Sequence, residues 1–516
     1  MSFIASRRNL IVSTRRPIEA WFDLEREGWA IAILLMLFVL LWTAFHVVSR
    51  ASIDLNPDLV EMYAWSRHPS AGYYKHPPLG ALIAAAWFAV LPATDWSFDL
   101  LAMVNAAVAL FAVHRIARLY LPADKALLAV LLLLLTPFYQ FQAQRFGANQ
   151  ALLSTWPIAT YCFLRAFHTR APVWAAIAGA TAGLAMLGKY YSIYLVAALV
   201  LGALSHPARS AYLRSASPWI SVAVGSLVLA PHLYWLTTVA FTPFDYVYVA
   251  HGGASRLEVL ASAATYLAGG IGYVALPIAV YALIVRPDRR LLLQTLWPAD
   301  ADRRLLVVLL GAQLLLPALS APFLGVPITS LWTMQSWFLL PIVLLAPEAA
   351  AVSRPRAVTV AASVLAIAAL ALLAAPAIAF ITHVSGTRHG EPFYRLVSEE
   401  ITREWHSRTG RPLTIVMGNA VEAVTFYSRD HPDAVPEFDL RAAPWVTPAR
   451  LAREGYAVLC DHPACAAEIA RRAAAEPNAV RGAFEVSRRY LGQGGPSARF
   501  TVLIVPPPSG TGDAPR

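Results

Sequence analysis

Charged residues are scarce in this chain of 516 residues. Asp, Glu, Lys and Arg make up 14% of it, against roughly 25% in an ordinary soluble protein, and hydrophobic residues make up 58%. This composition excludes an ordinary soluble enzyme. The 41 basic and 31 acidic residues give a net charge of +10, which suits nucleic acid, acidic substrates or a membrane protein with basic cytoplasmic loops.

The positions of the charges separate these alternatives. Residues 383–516 are nearly neutral, with 16 basic and 15 acidic side chains, so almost all of the excess lies in residues 1–382. There the cations occur in short groups between apolar runs, whereas nucleic-acid binding needs them clustered on a soluble face. We therefore predict a transmembrane domain at 1–382, a soluble domain at 383–516 and no nucleic-acid partner. The first apolar run has no small-residue cleavage site, which predicts a retained span.

Long apolar runs define the expected spans, because a helix needs about 20 apolar residues to cross the hydrocarbon core. Residues 79–93 are apolar but short, and counting them as a span would reverse the orientation of everything that follows. Eleven longer runs are predicted to cross: 28–48, 97–114, 126–143, 150–167, 172–187, 190–205, 217–239, 257–285, 305–322, 329–347 and 357–382.

The basic residues fix the predicted orientation. If 79–93 is a juxtamembrane helix and the N-terminus is cytoplasmic, 19 of the 25 cations in residues 1–382 lie on the cytoplasmic side, as the positive-inside rule requires. We therefore predict a multi-pass protein of the bacterial inner membrane whose first loop, 49–96, and C-terminal domain are periplasmic. Six cations remain outside or at outer helix ends: Arg50, Arg67, Lys75, Arg145, Lys189 and Arg256.

The C-terminal region alternates between strand-like and helix-like segments. PLTIVMGNA, GYAVLC and RFTVLIVPPP read as strands, with amphipathic helical stretches between them. This pattern predicts a small α/β domain with a mixed or parallel sheet. Cys460 and Cys465 could form a disulfide in an oxidising periplasm, and two free thiols are the equally weighted alternative.

Two acids and one lysine of the first loop are candidate functional residues. Asn56 and Pro57 form a helix-start signal, so Asp58 and Glu61 should share one face of a short helix. They could share a substrate proton, a metal or a cation, although spacing alone favours a solvated helix start. Lys75 precedes His76 and two prolines at a helix start, which suits a phosphate; contact with a lipid headgroup is the alternative.

Further polar residues lie at other outer turns. Lys189 is followed by Tyr190, and Arg145 and Asn149 share the turn QRFGAN. The loop 240–257, which carries Tyr246 and ends near Arg256, could be a lid over a ligand or a belt of interfacial aromatics. The aromatic segment around Trp332 and Trp337 suggests sugar stacking, but membrane anchoring is the stronger interpretation.

These motifs resemble those of a known group of membrane enzymes. DLVEMYAWSR, GYYKHPPL, FGANQALLSTWP and the Gly-Lys after the fifth predicted span are similar to motifs of the GT-C membrane glycosyltransferases. The nearest branch contains the lipid A aminoarabinose transferases and the lipopolysaccharide-core galacturonosyltransferases, which share a protein mannosyltransferase core. The resemblance implies a mainly α, polytopic fold of about eleven spans with juxtamembrane helices in the first external loop, plus the C-terminal α/β domain.

The resemblance also implies a reaction. The chain would transfer a sugar, such as galacturonic acid or aminoarabinose, from a polyprenyl-phosphate donor to a periplasmic glycolipid such as lipid A or lipopolysaccharide core, with inversion. Asp58 and Glu61 would be catalytic; Lys75, Lys189, Arg145 and Arg256 would bind the donor phosphate. Substrate contacts would come from Asn149, which stands where many relatives have an aspartate, and from His76, Tyr190 and Tyr246.

Other features of the reaction are predicted from the residues. The sequence has no tight His/Cys cluster for zinc, and two acids could hold a divalent ion only with further ligands, so we predict metal-independent chemistry without a cofactor. We expect a monomer in contact with membrane lipids. Transfer to protein hydroxyls is an alternative, as is transport of lipid-linked sugars, although the matched repeats typical of transporters are not evident.

Overall fold

The structure of the chain is a computed structural model that describes residues 17–239, 243–246, 252–387 and 390–508. Five of the described helices are long and apolar enough to cross a membrane, and a pair bent by 47° gives a sixth when it is counted as one span. The five are Trp29–Ser49, Asp95–Tyr120, Ser217–Thr238, Ala301–Leu324 and Arg354–Ser385; the bent pair is Arg256–Tyr273 and Ala275–Val285.

Eleven full-length spans are therefore not confirmed. The predicted span 126–143 consists of the helix Ala123–Leu133, followed by a turn and the short π-helix Phe138–Gln142. The predicted span 329–347 consists of two short 3₁₀ turns and the helix Leu340–Leu345, which has six residues. Both segments are apolar because they are buried in protein: Leu132, Leu339 and Leu345 are each 0% exposed.

The remaining helices of residues 57–296 are shorter or less apolar. The segment predicted to be juxtamembrane forms the helix Leu79–Phe88, whose ten residues span about 15 Å, half of the hydrocarbon core. The others are Pro57–Ser66, Ala148–Thr169, Pro172–Gly188, Ile193–Ser205, Arg209–Leu213 and Arg289–Leu296.

The chain divides into two compact units, each built from several stretches. The first contains 1–43, 75–79 and 100–371; the second contains 44–74, 80–99 and 372–516. In the first unit, the helices Pro172–Gly188 and Ser217–Thr238 pack with their backbones in contact. A Cβ on Gly179 would lie 2.2 Å from the carbonyl oxygen of Ser221, so only glycine allows this approach.

The second unit contains a five-stranded mixed sheet. Its strands are β1 (Ile415–Gly418), β2 (Asp433–Pro436), β3 (Tyr456–Cys460), β4 (Val480–Tyr490) and β5 (Gln493–Val505), in the order β2-β1-β3-β5-β4. Strand β1 is parallel to β2 and β3, whereas β5 is antiparallel to β3 and β4. The predicted α/β character and mixed sheet are confirmed, but β2 and β4 are strands that the sequence patterns missed.

Helices of the C-terminal region cover this sheet and join it to the first loop. They are Tyr394–Thr409, Val421–Tyr427, Pro448–Glu454 and Pro463–Ala475. The first-loop helix Pro57–Ser66 packs against Val421–Tyr427, with the rings of Tyr63 and Phe426 4.9 Å apart. The backbone N–H of Leu55 donates to the Tyr427 hydroxyl at 2.8 Å. The first loop, apart from residues 75–79, therefore shares one compact unit with the C-terminal sheet.

Candidate functional site

Lys189 lies at a break between two helices of the first unit. The helix Pro172–Gly188 ends at Lys189, whose backbone is extended, and a 3₁₀ turn over Tyr190–Ser192 leads into the next helix. Carbonyl groups are left without intrahelical partners at such a helix end, and their partial negative charge favours a cation there. The Gly-Lys pair thus ends the helix and places an ammonium group at its C-terminus.

The Lys189 ammonium has two defined neighbours. It donates a hydrogen bond to Asn149 Oδ1 at 2.7 Å, and it lies 4.6 Å from the centre of the Trp332 ring. The edge of the Tyr191 ring faces the same tryptophan, at 5.6 Å between ring centres. Trp332, for which membrane anchoring was the favoured interpretation, therefore contacts a candidate site residue. We name Lys189, Asn149 and Trp332, together with Lys75 and His76, the lysine cluster.

Asn149 is held at the start of the helix Ala148–Thr169. The residue before this helix, Gly147, has no side chain to cap the first N–H groups. Gln150 fixes the same turn, since its carbonyl accepts from Asn105 Nδ2 at 2.8 Å and its side chain donates to the Gln142 carbonyl at 3.1 Å. An uncapped N-terminus of a 22-residue helix therefore lies beside the lysine that Asn149 holds.

Lys75 and His76 belong to the same unit and complete the lysine cluster. The Lys75 ammonium lies 5.7 Å from the centre of the Tyr246 ring, a cation–π contact. Burial and the positive charges of Lys189 and Lys75 lower the pKa of the His76 imidazole to about 3. His76 is therefore neutral at physiological pH, and the cluster offers two ammonium groups, a neutral imidazole and an amide. This combination suits a phosphate.

Aromatic residues surround the lysine cluster. The Tyr190 hydroxyl lies 3.0 Å from His232 Nε2, and the Tyr190 ring stacks on Phe244 at 4.8 Å between centres. The Tyr191 hydroxyl lies 3.1 Å from that of Tyr266, which is fully buried. Sequence reasoning missed His232 and Tyr266, because each lies within an otherwise apolar helix. Part of the predicted lid, at 240–242 and 247–251, lies outside the described residues.

Two of the predicted phosphate-binding arginines are exposed. Arg145 lies in the turn before the helix Ala148–Thr169, and Arg256 begins the helix Arg256–Tyr273. No side-chain hydrogen bond or ion pair joins either of them to the lysine cluster among the described residues. Their role in binding the donor remains a prediction.

The predicted catalytic acids lie on the helix Pro57–Ser66 of the second unit. Asn56 caps this helix by accepting from the Asp58 backbone N–H, as its helix-start signal predicts. Asp58 is exposed, whereas Glu61 is 9% exposed. An exposed carboxylate is accessible to substrate and a buried one is not, so the arrangement suits Asp58 better than Glu61. The catalytic assignment of both acids remains a prediction.

A buried charge cluster of the second unit was not predicted. Asp54 is 1% exposed and accepts from the Arg395 backbone N–H at 2.8 Å and from Arg488 Nη2 at 3.0 Å. Burial raises the pKa of the Asp54 carboxyl above its ordinary value, although Arg488 and Arg395 oppose this change. In a neighbouring pair, Arg50 Nη1 lies 3.4 Å from Asp99 Oδ1. In the sequence, Asp54 could have indicated this charge cluster, because it is an acid in the polar first loop.

His68 forms a second link between the first loop and the C-terminal region. Its Nε2 lies 2.5 Å from Asp433 Oδ1, and its ring stacks on Trp445 at 4.4 Å between centres. Arg450 Nη1 donates to the other Asp433 oxygen at 2.9 Å. The tryptophan comes from residues 443–446, with the sequence APWV, which therefore hold the first loop in place.

Cys460 and Cys465 are joined by a disulfide bond, with their Cα atoms 5.7 Å apart. Cys162 is a free, buried cysteine.

Within the ranges that the structure describes, no group of three or more His, Cys, Asp or Glu side chains is arranged to hold a metal ion. The predicted independence from metals remains a prediction.

Comparison with known proteins places every residue of the lysine cluster except Trp332 in a shared segment. Residues 75–235 match the family described as dolichyl-phosphate-mannose-protein mannosyltransferase. This segment contains Lys75, Asn149 and Lys189. The chain is also 28% identical, over 324 residues, to the lipopolysaccharide core galacturonosyltransferase RgtB of Rhizobium johnstonii. The match covers 61% of this chain and 64% of that relative, which is less than two thirds of its length.

Solved structures share the fold over nearly the whole chain. The crystal structure of ArnT from Cupriavidus metallidurans bound to undecaprenyl phosphate has a TM-score of 0.60 and 16% identity, covering 95% of this chain and 99% of that one. The apo structure of the same protein gives 0.59 and 15%, covering 93% and 98%. These two likenesses show the fold; taken together with the family match and the similarity to RgtB, they confirm the predicted resemblance.

Proposed function

We propose that this chain is a sugar transferase. It resembles the GT-C membrane glycosyltransferases, in the branch of lipid A aminoarabinose and lipopolysaccharide-core galacturonosyltransferases. Its donor is a sugar on a polyprenyl phosphate, and its acceptor is a glycolipid such as lipopolysaccharide core or lipid A. Galacturonic acid is the favoured sugar, because RgtB, the relative that the sequence matches, is a galacturonosyltransferase.

The observation that carries this proposal is the lysine cluster. The whole chain has three lysines, Lys75, Lys125 and Lys189, whereas its other 38 basic residues are arginines. Two of the three lysines belong to the cluster, and all three lie in the segment that matches the mannosyltransferase family. An ammonium group is a compact charge with three donors, which suits a phosphate on a leaving group.

The chemistry follows from charge. The acceptor oxygen forms a bond to the anomeric carbon while the bond from that carbon to the phosphate oxygen breaks, with inversion. The polyprenyl phosphate leaves with the bonding electron pair, so negative charge develops on the phosphate oxygen. Lys75 and Lys189 stabilise this charge, and Asn149 holds the Lys189 ammonium in place. Asp58 takes the proton of a hydroxyl acceptor.

The membrane arrangement belongs to the same proposal. We place the protein in the bacterial inner membrane, with a cytoplasmic N-terminus and with the first loop and the C-terminal sheet in the periplasm. The grouping of 19 cations of residues 1–382 in predicted cytoplasmic segments supports this orientation. An alkaline phosphatase fused after residue 383 should be active; an inactive, stably expressed fusion would reverse the orientation.

The function is tested by deletion of the gene and mass spectrometry of lipid A, lipopolysaccharide core and glycoproteins. Loss of one hexuronic acid from the core, restored by the wild-type gene and by Lys125→Arg, is the expected result. Lys75→Ala and Lys189→Ala, expressed at the wild-type level, should not restore it. The proposal fails if the glycolipids of the deletion strain are unchanged.

Transfer to protein is a second candidate, because the matching family is described as a protein mannosyltransferase. The same experiment separates the two. A deletion strain with unchanged glycolipids but a protein that has lost a sugar would replace the glycolipid acceptor by a protein hydroxyl.

A further inference from the structure

A cavity of about 290 Å³, lined by both polar and apolar side chains, opens within the second unit. Its walls come from the last turn of the apolar helix Trp29–Ser49, from the first turn of the helix Asp95–Tyr120 and from the C-terminal region. Cavities of about this size and above hold small ligands. The side chains that carry the argument are Arg50, Asp95, Trp96, Asp99, Arg395 and Arg488.

The charged side chains of this cavity are paired, although Asp54, the partner of Arg488, does not itself line the cavity. Arg50 Nη1 lies 3.4 Å from Asp99, Arg395 Nη2 donates to Asp95 at 2.9 Å, and Arg488 Nη2 donates to Asp54 at 3.0 Å. Each guanidinium therefore has a carboxylate of its own. An anion drawn to the arginines would also meet Asp95 and Asp99, and a cation would meet the arginines. Because each arginine is already paired, the cavity favours a neutral ligand with many hydrogen-bonding groups.

Two atoms of the cavity residues have unused hydrogen-bonding capacity. Asp95 Oδ1 and Arg488 Nη1 are buried and have no hydrogen-bond partner among the described residues. One is an acceptor and the other a donor, and buried polar atoms ordinarily have partners. A hydroxyl group both donates and accepts, so it suits either kind of atom.

Trp96 gives the cavity an aromatic surface. It lines the cavity and is 44% exposed, which is high for so large an apolar side chain. The C–H face of a sugar ring packs well against the negative face of an aromatic ring. Carboxylates, guanidiniums and an exposed tryptophan together match the hydroxyl edge and the apolar face of a sugar.

We propose that this cavity binds a neutral sugar ring of the acceptor glycolipid. The inference rests on the proposed function, since it names the part of the substrate that the second unit recognises. The position of the cavity supports it. Two helices that are long and apolar enough to cross the membrane meet the cavity at their ends, where the sugars of a glycolipid emerge from the hydrocarbon core.

Binding can be measured without catalysis. The purified full-length protein is titrated with delipidated lipopolysaccharide-core oligosaccharide, and saturation-transfer NMR records contact with the sugar protons. Trp96→Ala and Asp95→Asn should each raise the Kd about tenfold. Trp29→Ala is the matched control, because Trp29 is 60% exposed and begins the helix Trp29–Ser49, at the end away from the cavity. This variant should bind as the wild type does. Equal binding by all four proteins would overturn the proposal, as would saturable binding of inorganic phosphate in its place.

Kinetics separate this inference from the proposed function. In a transfer assay, Trp96→Ala and Asp95→Asn should raise the KM for the acceptor glycolipid and leave the KM for the polyprenyl-phosphate donor unchanged. Transfer with an unchanged acceptor KM in both variants would refute the cavity and leave the proposed function standing. A wild-type protein that binds the oligosaccharide through Trp96 but transfers no sugar would refute the proposed function alone.

Discussion

Replacement of Lys189 by alanine tests the lysine cluster most directly. In the structure the Lys189 ammonium is held by Asn149 at 2.7 Å and lies over the Trp332 ring at 4.6 Å. Alanine removes the charge and leaves the surrounding helices with their other contacts. We therefore expect the variant to fold and to bind the donor, but to stabilise the leaving phosphate poorly.

The size of the effect can be worked from the charges. Two unit charges 4 Å apart attract by about 4 kcal/mol at an effective dielectric constant of about 20. A hydrogen bond to a charged group contributes about 1.5–3 kcal/mol after exchange with water. Lys75 remains in the variant and carries part of the phosphate charge, so we expect a loss of about 2–3 kcal/mol. This corresponds to a decrease in kcat/KM of about 30- to 160-fold.

The assay is transfer from a polyprenyl-phosphate sugar to a glycolipid by the purified protein. Lys189→Arg keeps the charge but not the compact shape, so its kcat/KM should lie between those of the wild type and the alanine variant. Lys125→Arg is the matched control, because Lys125 donates to the carbonyls of Leu345 and Pro347, at 3.1 and 3.3 Å. It should retain the wild-type rate. A Lys189→Ala variant within threefold of wild-type kcat/KM would refute the assigned role.

Three further predictions concern stability. The pKa of His76 is about 3 in the folded protein and about 6.5 in the unfolded chain, so the stability that this residue contributes is lost as the pH falls from about 6.5 towards 3. The melting temperature of His76→Gln should therefore fall less between pH 7 and pH 5 than that of the wild type. An equal fall in both proteins would contradict the low pKa. Gly418→Ala should destabilise the C-terminal sheet by more than about 2 kcal/mol in thermal unfolding of the full chain, because Gly418 has φ +118° and a Cβ would lie 2.1 Å from the Leu459 carbonyl oxygen. Gly410 also has a positive φ, but its Cβ would meet nothing within 4 Å, so Gly410→Ala should lower the stability by a smaller amount. Reduction of the disulfide bond between Cys460 and Cys465 should lower the free energy of unfolding by about 2 kcal/mol. If these two thiols react with maleimide in freshly isolated membranes without reductant, the result would argue against a periplasmic position.

The sequence predicted local structure well where one physical signal dominates. Continuous apolar strands such as Tyr456–Cys460 are buried on both faces, and the pattern predicted them. The hairpin of β4 and β5 was only half predicted, because its turn is Leu491-Gly492 and both residues have positive φ. Leucine rarely adopts that conformation, so the turn lacks the Asn-Gly or Asp-Gly signature of a two-residue hairpin.

Hydropathy could not distinguish two kinds of apolar segment. Residues facing lipid and residues buried in protein are equally apolar, so 126–143 and 329–347 looked like spans although their helices are short. What separates them is the packing around each helix. The same limit applied to Trp332, whose contact with Lys189 joins residues 143 positions apart in the chain.

The sequence by itself determined the membrane character, the α/β nature of the C-terminal region and the identity of the two lysines, because these depend on composition, periodicity and local motifs. Only the tertiary structure decided that Asn149 and Trp332 hold Lys189, and that Arg395 and Arg488 meet the acids of the first loop. Those contacts join residues tens to hundreds of positions apart. Their geometry depends on how helices end and pack, which no local pattern specifies.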